Sequence, residues 1–168
     1  MRFATVNDVT IHYGVAGNPS KSTIVFANSL GTDFRIWQDV ALDLVTDYRV
    51  VLYDKRGHGL SDVPGGPYTM EDHVSDLIAL LDYLGIEQVI VCGVSVGGMI
   101  AQGLAATAPE RIQALVLCDT AHKIGTAQMW NDRMEAVRDG GLTAIADSVM
   151  DRWFSTQFLE HQLAQLHG

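Results

Sequence analysis

Gly93-Val94-Ser95-Val96-Gly97 sets a serine between two glycines at the spacing G-x-S-x-G, directly after the β-branched run Val89-Ile90-Val91. This spacing belongs to a nucleophile elbow, where strand turns sharply into helix and the serine hydroxyl projects above a sheet to attack an acyl carbon. Such a turn leaves almost no room beside the serine, which accounts for glycine at 93 and 97. A helix that starts at Val96 would aim its unsatisfied N–H groups at the same point, where they can stabilise an oxyanion. Taken alone, the five residues fit a closely packed glycine-rich turn equally well. The surroundings favour the elbow: a strand is predicted before it, and Ala101, Leu104, Ala105 and Ala108 continue a helix until Pro109 ends it.

A serine nucleophile needs a base. His12, His58 and His73 precede Ser95, and His122, His161 and His167 follow it, the last two in or just after a helical stripe where a solvated surface position is the commoner explanation. Cys92 and Cys118 each close a predicted core strand and read as packed free thiols. No further Cys or His stands at ligand spacing, so neither a metal nor a cofactor is expected.

Composition narrows the possibilities. The chain has 168 residues, 48% of them hydrophobic, and a mean hydropathy of +0.13, which favours one folded domain over disorder. A net charge of −9 without clustered Lys and Arg excludes nucleic acid as a partner. No apolar run approaches the roughly 18 residues that cross a bilayer, and the first eight residues lack the apolar core of a signal peptide, so a cytoplasmic, non-membrane protein is expected.

Positioning the serine requires a sheet, and the chain supplies its strands in order. Runs at 3–6 and 9–15, split by Asn7-Asp8, read as an antiparallel hairpin. Thr23-Ile24-Val25-Phe26-Ala27 reads as a strand buried on both faces, ending in Asn28-Ser29-Leu30-Gly31, a second place for chemistry. A helix through Ile36, Val40 and Leu44, a strand over 48–53 and the glycine-rich Asp54-Lys55-Arg56-Gly57-His58-Gly59-Leu60-Ser61 follow. The spacing predicts a helix over 69–84, opened by a Thr69/Asp72 capping box and closed by Gly85. After the elbow and its helix, 114–118 reads as one more buried strand. From Thr126 onward only helical spacing is visible. The expected fold is α/β: a mostly parallel sheet with an N-terminal hairpin and helices on both faces, as a core over 1–125, followed by a helical cap segment over 126–168.

With those pieces placed, the chain resembles the α/β-hydrolase superfamily and, within it, the 3-oxoadipate enol-lactonases, which open a lactone in the β-ketoadipate pathway of aromatic breakdown. The resemblance is carried by Phe26-Ala27-Asn28-Ser29-Leu30-Gly31-Thr32-Asp33 with Trp37, by Tyr53-Asp54 with Arg56-Gly57-His58-Gly59 and Ser61, and by Cys92-Gly93-Val94-Ser95-Val96-Gly97-Gly98. Leu117-Cys118 with Thr120-Ala121, Lys123-Ile124-Gly125-Thr126, and Arg152-Trp153-Phe154 also match. It implies Ser95 as nucleophile and the Val96 and Leu30 N–H groups as the oxyanion hole. A small lactone or ester carrying a carboxylate would meet Asn28, Ser29, Trp130, Arg133 and Trp153, with Arg35 a second candidate for the carboxylate. The motif holding His58 reads in this family as a turn that positions loops.

Relatives continue through two more strands and helices that carry the catalytic Asp and His, whereas this chain stops in the cap. Asp119, at the end of the strand after the elbow, is an alternative acid, because some α/β-hydrolases take theirs from that position. The resemblance therefore implies a fragment of a larger enzyme, or a chain that pairs with a second copy or a complementing C-terminal segment through the apolar edge at 114–118. Esterase, thioesterase and cofactor-free haloperoxidase activities share these motifs. So does a catalytically inactive core that only binds or assembles.

Overall fold

The computed structural model describes the backbone of residues 2–166 and the side chains of residues 2–161; His167 and the side chains of Leu163 and Leu166 lie outside them. Asn7 and Asp8 both take positive φ, 48° and 60°, as a two-residue hairpin turn matching the strand twist requires. The predicted hairpin forms: β1 (Arg2–Val6) folds back on β2 (Val9–Ala16) with Val6 opposite Val9. Then come β3 (Thr23–Ala27), a 3₁₀ turn (Phe34–Trp37) running into α1 (Gln38–Leu44), β4 (Arg49–Tyr53), α2 (Met70–Tyr83), β5 (Val89–Val94), α3 (Val96–Thr107) and β6 (Ile112–Cys118).

The six strands lie in the order β1-β2-β4-β3-β5-β6, with β2 antiparallel to β4 and the β4-β3-β5-β6 pairings parallel. All five residues of β3 are buried, as its unbroken apolar run predicts for a central parallel strand. Its side chains alternate between two cores. Val25 and Ala27 join Val51, Tyr53 and Val91 beneath Leu77, Leu80, Leu81, Ile100 and Leu104 of α2 and α3. Ile24 and Phe26 join Val50 and Cys92 beneath Trp37 and Ala41 on the opposite face. Helices thus cover both faces.

The capping box of α2 is complete: Thr69 Oγ1 accepts from the Asp72 N–H at 3.1 Å, and Asp72 Oδ2 accepts from the Thr69 N–H at 2.7 Å. Thr69→Ala is expected to cost about 1 kcal/mol, read as a lower urea midpoint with an unchanged m-value. An unchanged midpoint would show that the N-terminal turn is held by packing alone.

The run 114–118 reads as buried by its apolar character and as an apolar edge by its place last in the sheet. The strand is β6, which starts at Ile112, and Val116 and Leu117 are 47% and 45% exposed. It pairs with β5 and, among the described residues, leaves its outer edge unpaired. An apolar run reports that a strand can be buried; position at the sheet edge decides whether it is.

Residues Gly125–Gly168 form a unit separate from Met1–Ile124. It is helical: α4 (Ala127–Gly140), capped by Thr126 accepting from the Met129 N–H at 3.2 Å, then α5 (Thr143–Trp153) and α6 (Thr156–Leu166).

Candidate active site

The β3–β5 register sets Ala27 beside Gly93, so the loop leaving β3 and the turn leaving β5 emerge together at one end of the sheet. Ser95 sits on that turn at φ 55° and ψ −118°, a conformation that costs a non-glycine residue roughly 1–3 kcal/mol. Its neighbours hold it there. The Ser95 N–H donates to Cys118 O at 3.0 Å, and Ser95 O accepts from Thr120 Oγ1 at 2.6 Å and from the Gly98 N–H at 3.0 Å. A Cβ on Gly93 would lie 2.3 Å from Gly97 O, and one on Gly97 would lie 2.1 Å from Ala27 O. Glycine at both positions is a steric requirement, as the motif predicts. Ser95 is half-buried and its Oγ bonds to no acceptor or donor among the described residues, so the hydroxyl is available.

The second half of the candidate site is the loop after β3. Neither the Leu30 N–H nor the Val96 N–H donates to a protein acceptor among the described residues. Both Leu30 and Val96 are half-buried. The loop is fastened from beneath. Thr32 Oγ1 donates to Ser29 O at 3.1 Å, Lys55 Nζ donates to the same oxygen at 2.6 Å, and the Gly31 N–H donates to His58 Nε2 at 3.1 Å. Asn28 is wholly buried, its amide N–H donates to Thr32 O, and its Oδ1 finds no partner among the described residues. The Asn28 side chain thus shapes the loop from below.

The family profile described as alpha/beta hydrolase fold matches residues 22–140, most of the chain. The chain belongs to the α/β-hydrolase fold family. This α/β-hydrolase is 43% identical over 156 residues to 3-oxoadipate enol-lactonase 2 of Acinetobacter baylyi, covering 93% of the chain and 58% of that relative. The solved enol-lactonase of Burkholderia xenovorans superposes with a TM-score of 0.95 at 39% identity, over 99% of this chain and 65% of that one. A thermophilic esterase from Thermogutta terrifontis superposes at 0.86 with 26% identity, over 96% and 60%. The α/β-hydrolase chain thus spans just under three-fifths of the curated relative and about two-thirds of the solved enol-lactonase.

In this α/β-hydrolase the Asp54-to-Ser61 connection is an internal brace. Asp54 Oδ1 accepts from the Phe34 N–H at 2.8 Å, and Oδ2 from the Leu60 N–H at 3.0 Å and faces His12 Nδ1 at 2.8 Å. His58 Nε2 accepts from Gly31, so Nδ1 carries the proton and donates to Arg56 O at 3.1 Å. Both ring nitrogens are committed to positioning backbone, as the turn reading of this motif expects. Burial, reinforced by Lys55, lowers the His58 pKa.

His73 on α2 is brought from 6.5 to about 4, chiefly by burial and then by Lys55, His58 and Arg56. Below pH 6.5 the unfolded chain takes up a proton that the folded one refuses. Stability is therefore expected to fall as pH drops from about 6.5 toward 4, with His58 acting in the same direction. The His73 Nδ1 has no partner among the described residues, so His73→Leu should fold and should flatten this part of the urea-midpoint profile. Parallel profiles for the two proteins would sink the assignment.

The remaining sequence-derived candidates are placed as follows. Asp119 is exposed, takes φ 41°, and its carboxylate pairs with no histidine among the described residues. His122 and His161 are exposed. Arg35 is already engaged with Asp33 at 2.9 Å. On the helical unit, Arg133 Cζ lies 5.7 Å from the Trp130 ring centroid and Trp153 is 44% exposed. Burial, with Cys118 beside it, pushes the Cys92 thiol up to about 12, in keeping with a packed rather than reactive cysteine. Among the described residues no group of three His, Cys, Asp or Glu side chains is set to hold a metal. No helix among them is long and apolar enough to cross a membrane. Sequence reasoning passed over two residues, Thr120 and Lys55. Their only signal was position, one just after a strand end and the other inside a glycine-rich connection.

Proposed function

We propose that this chain carries the nucleophile and the oxyanion donors of a carboxylic-ester hydrolase that opens an enol-lactone ring, in the manner of 3-oxoadipate enol-lactonase in aromatic catabolism. Ser95 Oγ attacks the lactone carbonyl, the carbonyl oxygen takes the negative charge, and the Leu30 and Val96 N–H groups receive it. Collapse breaks the ring C–O bond and leaves an acyl-enzyme, which water hydrolyses to the open acid. None of the described histidines hydrogen-bonds Ser95 Oγ: His12 faces Asp54, His58 holds backbone at both ring nitrogens, His73 is buried on α2, and His122 and His161 are exposed. No cofactor enters the scheme.

The observation that carries this reading is the strained, hydrogen-bonded Ser95 turn with its free hydroxyl, beside two undonated N–H groups. Likeness to enol-lactonases over nearly the whole chain supports a lactone as the substrate; likeness to an esterase keeps an acyclic ester as the second reading. The test is a serine-directed fluorophosphonate followed by peptide mass mapping, alongside ring opening of an enol-lactone and cleavage of a p-nitrophenyl ester. An adduct confined to Ser95 with faster lactone opening is expected. Faster ester cleavage would support the second reading, and a folded protein without adduct would leave a core that binds but does not catalyse.

A further inference from the structure

The Ser29 carbonyl and the Leu30 N–H belong to one peptide group, and across a trans peptide the two point in opposite directions. Whatever grips that carbonyl therefore aims that N–H. The strongest grip comes from Lys55, whose Nζ donates to Ser29 O at 2.6 Å from a side chain only 1% exposed. Thr32 Oγ1 shares the oxygen at 3.1 Å, and the next peptide is fastened by the Gly31 N–H to His58 Nε2 at 3.1 Å. Both peptides flanking Leu30 are thus held by one turn, residues 54–61.

A buried ammonium is a costly way to hold a carbonyl, which a neutral donor would hold with less desolvation. Among the described residues Lys55 forms no ion pair that would recover that cost. The oxygens of Asp54, the adjacent carboxylate, are taken by the Phe34 and Leu60 N–H groups and by His12. Among the described residues the positive charge is directed at a single peptide.

Resting on the reading of the Leu30 N–H as an oxyanion donor, we infer that Lys55 is a positioning residue for ester hydrolysis. It orients the Ser29–Leu30 peptide and, by drawing electron density toward the Ser29 oxygen, makes the Leu30 N–H a stronger donor to the developing oxyanion. The geometry is supported by the titration of the group: burial brings Lys55 from 10.5 down to about 7, with Asp54 pulling the other way. Burial also lowers the pKa of the neighbouring His58 and His73, and the hydrogen bond to Asp76 raises that of Arg56.

Two measurements on the ¹⁵N-labelled protein test this. The first follows the Leu30 and Gly31 amide resonances between about pH 6 and 9, where Lys55 titrates. Both should move through one transition near neutrality in the wild type and stay flat in Lys55→Met. Equal movement in both proteins overturns the inference. The second compares hydrolysis of an activated ester. Lys55→Met should lower kcat about 10- to 100-fold, short of the loss seen when an oxyanion donor is removed outright, with KM within about twofold and thermal stability equal or higher. Lys55→Gln, which keeps a neutral donor, should recover part of the rate. An unchanged kcat, or a loss that only tracks unfolding, overturns the inference. If the wild type cleaves no ester, the proposed function fails, and the amide titration still decides whether Lys55 controls the Leu30 peptide.

Discussion

Ser95→Gly is expected to abolish esterolysis and the phosphonate adduct while raising stability by about 1 kcal/mol. The two effects have one origin. At φ 55° and ψ −118° a side chain is strained, and glycine is not. Ser95→Ala loses the same chemistry but keeps a Cβ in the strained turn, so its urea midpoint should match the wild type. For both variants the rate should fall by at least about 10⁴-fold, since nothing but a bound, polarised carbonyl remains for water to attack. The pair of variants separates strain from nucleophilicity. A glycine variant no more stable than the alanine one would mean that the Thr120 and Cys118 hydrogen bonds already offset the strain. An alanine variant that still turns over would remove Ser95 from the mechanism.

The largest expected stability loss lies beside the candidate site. Arg56 donates to both carboxylate oxygens of Asp76, Nε at 2.6 Å and Nη2 at 2.7 Å, and its Nη1 lies 3.3 Å from Asp72. Asp76 is 2% exposed, and its only other side-chain donor among the described residues is Asn7 Nδ2 at 3.2 Å. Arg56→Ala would leave a buried carboxylate nearly alone, at a cost of about 3–5 kcal/mol. Removing both partners with shape kept, as in Arg56→Met with Asp76→Leu, should restore most of it, because the desolvation penalty disappears with the charges. Chemical denaturation of the single and double variants measures this directly. If the double variant is as unstable as the single, the pair contributes net stability as well as placement. What it places is α2 against the 54–61 turn, and so, indirectly, the loop that bears Leu30.

Several elements were legible in the sequence because their causes are local. Asn7-Asp8 specifies a tight hairpin, Thr69 and Asp72 cap each other across one helical turn, and Gly93 is required by the Gly97 backbone four residues on. The central strand was legible for a different reason: burial on both faces demands an unbroken apolar run, and 23–27 is one. What escaped depends on partners distant in the chain. Val116 and Leu117 look as buried as Val25, and only their place at the sheet edge exposes them. Asn28 has the type of a ligand-binding residue, and only the folded loop turns it inward to Thr32. Lys55 and Thr120 act through backbone carbonyls at Ser29 and Ser95, 26 and 25 residues from them in the chain. No residue pattern advertises a bond to a carbonyl that distant.

The strand order also fixes a timetable for assembly. The β1–β2 hairpin closes through adjacent residues and can form in about 1–10 μs. The centre of the sheet has no such shortcut. In β3, Ile24 must find Val50 on one side, across α1, and Ile90 on the other, across α1, β4 and α2. Such remote parallel pairings form slowly, on the millisecond-to-second scale. Until they do, the four apolar side chains of the central strand, Ile24 to Ala27, have no cover. Refolding yield should therefore fall with protein concentration even though the finished strand is wholly enclosed.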